Sequence, residues 1–347
     1  MANPRVRLNA GVLSRAAIVS AQLLLVFLAL WALRSVVQHL SYVLIPVAIA
    51  LLLTALLQPL VAWLTKHRWP RALAVLAALV AGIGVAGGIV TFVVLAVINN
   101  FDALRSQVSQ SVDQLQRWLA GSPLQFHGGL IDRASAWLRA NQQRVVSDVL
   151  GAFGTVTSIV VGVLLSIVLL VIFLYDGPRM WQFLIRPFRT GTRDLLDTAG
   201  RRAFRSVVVY VWVTALVAFI DALAIGLGLA LVGVPLAVPL AALVFLGGFI
   251  PYAGAIVSGV LAVAVTLVSN GLAAALIILG VVLAVGQLEG HVLQPVLQGN
   301  ISRLHPAAVL IALVIGGAEG GIAGVLFAVP VLAAARAVVV TVAERRA

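Results

Sequence analysis

The 347-residue sequence contains no cysteine. That absence excludes disulfide frameworks, thiolate metal sites and cysteine nucleophiles, and leaves the compartment open. Charge is also scarce: 10% of residues are charged against 62% hydrophobic, and mean hydropathy is +1.14. A globule of this size needs more polar surface than that to be solvated by water. Lysine appears only as Lys66, and 11 acidic residues stand against 23 basic ones, for a formal charge of +12. In a soluble protein such an imbalance would point to nucleic acid. Here almost all of the excess lies in segments between apolar runs that share one side of a membrane, so it reads as a positive-inside pattern and excludes a nucleic-acid footprint. The sequence also lacks a serine nucleophile elbow, a Walker-type phosphate loop and a dinucleotide glycine fingerprint, so no enzyme active site and no cofactor are expected.

What the chain does have is apolar runs from Ala16 almost to its C-terminus, many near the ~20 residues that span a bilayer as helix. Residues 1–98 read as N-terminal transmembrane spans. Arg5, Arg7 and Arg15 precede the first, roughly 16 to 33, which is followed by further spans and so reads as an anchor and not a cleaved signal peptide. A second span ends near Leu64, before the cluster Lys66, His67, Arg68 and Arg71, and the third carries Gly82, Gly84, Gly87 and Gly88, which permit close helix approach. Residues 99–153 are polar with two amphipathic helical patterns broken at Gly121-Ser122-Pro123, and alternation places them outside as an extracytoplasmic insertion. A span over 154–175 returns to the basic cytoplasmic segment 176–205, and 206–347 forms a C-terminal core. The predicted fold class is an all-α polytopic membrane protein of about eight hydrophobic segments, some broken or re-entrant, with both termini cytoplasmic.

Each ionised group at bilayer depth costs ~2.5 to 3.5 kcal/mol on insertion scales, so the few charges beyond residue 206 mark helix–helix hydrogen bonds or a pathway. Asp221, in the middle of an apolar span, is the clearest. Gly247-Gly248-Phe249-Ile250-Pro251-Tyr252-Ala253-Gly254 cannot continue a regular helix, because Pro251 lacks a donor and the glycines weaken it; a broken helix and an ordinary kink or turn both fit. From Gln287 to Pro306 the polarity rises, with Glu289, His291, Gln294, Arg303, His305 and Pro306 as candidates for a substrate or ion pathway or for a solvated structural loop. His291 follows Glu289 by two positions, which is not the spacing of a helical zinc pair, and no metal site is expected.

At these residues the chain resembles the autoinducer-2 exporter family of bacterial inner-membrane proteins, a permease group. The resemblance rests on Phe249-Ile250-Pro251-Tyr252-Ala253-Gly254, Gln287-Leu288-Glu289-Gly290-His291, Gln294-Pro295, Gly299 and Leu304-His305-Pro306, followed by Gly316-Gly317, Gly320, Gly324 and Ala328-Val329-Pro330. One run departs: many members have Tyr-x-x-Gly-Gln where this chain has Tyr210-Val211-Trp212-Val213-Thr214. The resemblance implies export of small molecules, autoinducer-2 in some members and sodium/proton exchange in others, and a homo-oligomer in the inner membrane. The expected partners are therefore the lipid bilayer and a small-molecule or ion substrate. Two rivals to a small-molecule exporter are a cation/proton antiporter on the same scaffold and a non-transporting membrane scaffold that works through its outer helices.

Overall fold

The computed structural model describes residues 40–89, 156–251, 253–293 and 305–345, with isolated positions between 18 and 35 and between 91 and 95. The outer insertion, Gln294, Arg303 and most of the first span lie outside these residues. Among the described residues every element is helical: α1 Ser41–Lys66, α2 Arg71–Ile89, α3 Val156–Ile185, α4 Thr190–Val232, α5 Ala237–Gly247, α6 Ala253–Leu288, a π-helical turn Glu289–Leu293, and α7 Pro306–Glu344. Among the described residues six helices are long and apolar enough by length and composition to cross a bilayer and α5 is shorter, which makes this a polytopic helical membrane protein. Its outer surface is apolar, with Leu231 and Ile322 more than three-quarters exposed. Hydroxyls inside the spans bond to their own helix: Thr54 to the Ala50 carbonyl, Ser166 to Gly162 and Thr266 to Ala262.

Among the described residues two hydrophobic cores are found. In the first, Ala50, Val61 and Leu64 of α1 pack with Ala74, Val75 and Ala78 of α2 and Leu170 and Leu174 of α3. In the second, Ala222, Ile225 and Leu229 of α4 pack with Leu240 and Val244 of α5 and Ala262 and Ile278 of α6. The long α4 joins the two, since it contacts α1 and α3 of the first and α5 and α6 of the second. The basic segment 176–205 proves to be two helix ends joined by a short turn at 186–189. Trp181 explains why they stay together: its indole N–H donates to Asp197 at 3.2 Å, and its ring fills the space a Cβ on Gly200 would need. At this same end Arg71 donates to the Leu174 carbonyl at 3.4 Å, Arg202 pairs with Glu344 at 2.5 Å and Arg345 donates to the Gly191 carbonyl at 2.7 Å. The basic segments therefore share one end of the bundle, as their sequence pattern requires.

Beyond α4 the apolar sequence is folded into hairpins. Gly233, in the left-handed region (φ 79°), ends α4, and Asn270 donates to the carbonyls of Val232 (3.1 Å) and Gly233 (3.4 Å). Asn270 therefore lies level with the end of α4, although 18 residues of helix separate it from the break at 248–252. The chain must descend along α5 and return along the first arm of α6. At about 16 Å long, α5 is too short to cross a ~30 Å hydrocarbon core, so α5, the break and the first arm of α6 form a re-entrant hairpin. Gly271 (φ 84°) then reverses the chain again, and a Cβ on Gly259 would lie 2.9 Å from Val282 of the second arm. In α7, Gly321 (φ 55°) does the same. Gly316 and Gly324 touch across it, although a straight helix would hold residues at that spacing about 12 Å apart.

The α7 hairpin enters from the opposite end. Its second arm is anchored at the arginine-rich end through Glu344, extends about 34 Å and stops well short of the far end of α4. Its first arm, about 22 Å long, cannot cross the bilayer. The break expected at 247–254 is thus present as one re-entrant hairpin, while the second hairpin turns at Gly321, outside the stretch 287–306 where the sequence suggested another break and most of which lies outside the described residues.

Candidate functional site

The inward stripe of α4 runs through Ala218, Asp221, Ala222, Ile225 and Leu229, all buried at helical spacing. That register, and not any local preference of aspartate, puts the carboxylate inside. Asp221 is 8% exposed, and its Oδ1 has no hydrogen-bond partner among the described residues. A buried acceptor without a donor costs about 1 to 3 kcal/mol and calls for a functional explanation. Glu289, half-buried, opens the π-helical turn that packs against α4, and it lies close enough for its charge to act on Asp221. The two acids, 68 positions apart in sequence, are brought together. π-Turns inside helical runs recur at functional sites.

Depth gives the pair its context. A Cβ on Gly248, at the tip of the first hairpin, would lie 2.5 Å from Ala218 Cβ, one turn of α4 from Asp221. The tip of the second hairpin, placed by its anchor at Arg202, reaches the level of residue 224 or so. The first tip therefore meets α4 where Asp221 sits, and the second ends at about that depth with residues 318–322 exposed.

The other predicted residues divide. Pro251 lies in the first tip, where Ile250 donates to the Gly247 carbonyl at 2.8 Å and Phe249 meets Phe245 edge-on. Gly254 is buried at the crossing of the two arms, where a Cβ would fall on the Gly247 carbonyl. These two shape the hairpin. His291 is exposed and its Nδ1 lies 3.1 Å from the Gln287 carbonyl of its own turn. His305 accepts from the Ala307 N–H at 3.2 Å as an N-cap, and Pro306 takes the first helical position, which suits it. Their side chains serve a helix start. No group of three or more His, Asp or Glu side chains gathers into a metal set among the described residues.

Sequence reasoning passed over Glu319. It is exposed two positions before Gly321, at the tip of the second hairpin. An acid among Gly316, Gly317, Gly320 and Gly321 inside an apolar run was the available signal. A second feature invisible in the sequence is a partly open apolar pocket of about 180 Å³ lined by Ile49, Leu53 and Leu56 of α1, Tyr210 and Thr214 of α4, Phe249 of the first tip and Pro330 of α7.

A family model described as AI-2E family transporter matches residues 21–344. The chain belongs to the AI-2E transporter family. It is 42% identical over 314 residues to "Putative transport protein MT0215" of Mycobacterium tuberculosis, covering 89% of this chain and 86% of that protein. It is 26% identical to "Putative transport protein YueF" of Bacillus subtilis over 87% of this chain and 84% of that protein. Against "AI-2 transport protein TqsA" of Escherichia coli the identity is 24%, over 85% of this chain and 84% of that protein. The family match includes both hairpins and the acid pair of this AI-2E chain. The departure from the family's Tyr-x-x-Gly-Gln run falls at Val213 and Thr214, and Thr214 is part of the pocket wall.

Proposed function

We propose that this chain carries a small solute across the bacterial inner membrane by exposing the Asp221–Glu289 site alternately to the two sides, with the acids coupling transport to ion movement. The observation that carries the reading is a buried Asp221 oxygen with no hydrogen-bond partner among the described residues, within reach of the Glu289 charge and one helical turn from the first hairpin tip. Opposed broken helices around a midplane site are the arrangement by which secondary transporters alternate access. One relative is named an AI-2 transport protein, so autoinducer-2-like solutes are the first class to test, with export as the direction. The reading is transport and not catalysis. The basic end of the bundle, which also holds the C-terminal end of α7, is assigned to the cytoplasm, and the N-terminus with it. The exposed apolar helix faces suit lipid and contacts between copies in a homo-oligomer.

Flux in proteoliposomes from about pH 5.5 to 8.5, spanning the usual range of a perturbed carboxyl, tests the coupling. Asp221→Asn and Glu289→Gln, compared at equal protein density, are expected to flatten the pH profile. Unchanged profiles and rates in both variants would remove these acids from the mechanism. The acid pair also favours a second reading, exchange of a monovalent cation for protons. Cation-dependent proton flux with no organic solute present would decide for it.

A further inference from the structure

The pocket beside Phe249 is separate from the acid pair: Thr214 lies about 10 Å along α4 from Asp221. It sits in the seam between the two cores, with α1 of the first on one side and α4, the first hairpin tip and the second arm of α7 on the other. Its wall is hydrocarbon. Tyr210 and Thr214 are its two hydroxyl-bearing residues, and almost none of the surface facing the pocket is polar. Apolar cavities of about 150 Å³ stay dry and take benzene-sized guests, so at about 180 Å³ this one suits a short run of hydrocarbon and not water.

Its opening and depth identify the guest. Leu53 lines the pocket and is also 36% exposed, so the pocket opens at Leu53 onto the apolar outer surface of α1. Leu56 stands about 15 Å from Lys66, and Pro330 about 21 Å from Glu344, both measured from the arginine-rich end. In a hydrocarbon core of ~30 Å that is the middle, where acyl chains end. We propose that the seam pocket binds the terminal segment of a phospholipid acyl chain, which wedges α1 against the first hairpin tip. The occupant touches Phe249, so its presence bears on how far that tip can move.

The full chain in nanodiscs of phosphatidylcholine with a diazirine at the acyl terminus provides the test, read by mapping photo-adducts with mass spectrometry. Adducts are expected several-fold more often on Leu53, Leu56 and Phe249 than on Val163 and Leu164, which are exposed apolar residues of α3. Leu56→Trp, which fills the space, should abolish the pocket adducts and leave those on α3. If that variant does not fold, Leu53→Phe replaces it, and the adduct map of the unaltered chain still decides. Equal labelling at the pocket and on α3 would overturn the proposal. So would efficient thiol cross-linking between copies through Leu53→Cys, since a neighbouring copy would then cover the mouth.

Discussion

Asp221 advertises itself in the sequence because an acid inside an apolar run has no neighbour of its own polarity. Glu289 is legible too, as an acid in a polar stretch, but its pairing with Asp221 is not, because the two meet only through the reversal of the chain at Gly271. Conversely, His291, Gln294, Arg303, His305 and Pro306 share Glu289's polar stretch; the first and the last two serve their own helix ends, and Gln294 and Arg303 lie outside the described residues. Local polarity identifies where water or a ligand reaches the chain, and not which side chains converge. Since Asp221 Oδ1 has no donor to lose among the described residues, Asp221→Asn should melt at or above the temperature of the unaltered chain while ion-coupled flux falls by about tenfold or more. A loss of stability of more than about 1 to 3 kcal/mol, the cost of stranding a buried partner, would instead make Asp221 a structural hydrogen-bonding group.

At the scale of elements, Pro251 among glycines made the first break legible. The second hairpin has no proline at its tip, and a 39-residue apolar run reads in hydropathy as one over-long span. Only the backbone distinguishes them: Gly254 meets the Gly247 carbonyl and Gly324 meets the Gly316 carbonyl, each pair allowing two helix arms to cross at backbone contact. A methyl at either position would press on backbone, which cannot rotate away. Gly254→Ala and Gly324→Ala should each cost about 1 to 3 kcal/mol and depress transport, whereas Gly280→Ala, with open space around its Cβ position, should do neither. Thermal unfolding in detergent with parallel flux measurement checks all three. Pro251→Ala tests the tip separately: its expected effect is on transport more than on insertion or folding, at equal membrane abundance.

For the whole molecule, alternation of hydrophobic runs and arginine clusters was enough to place the basic segments at one end, and the contacts of Arg71, Arg202 and Arg345 bring them there. Simple alternation could not give the path of the C-terminal half, because a re-entrant hairpin returns to the side it left without crossing. Sidedness is tested by single cysteines in this cysteine-free chain: an impermeant thiol reagent added outside should label Ser122→Cys and spare Thr192→Cys in intact cells with a permeabilised outer layer. The central claim is that one site between the hairpin tips faces the two sides in turn. Its most direct measurement is the reaction of Ile250→Cys and Glu319→Cys, one at each tip, with that reagent in right-side-out and in inside-out vesicles. Alternating exposure predicts that each tip reacts from both sides, with the rate on one side rising as the rate on the other falls when the transmembrane proton gradient is reversed. Tips that react from a single side whatever the gradient, or from both sides without such exchange, would contradict it.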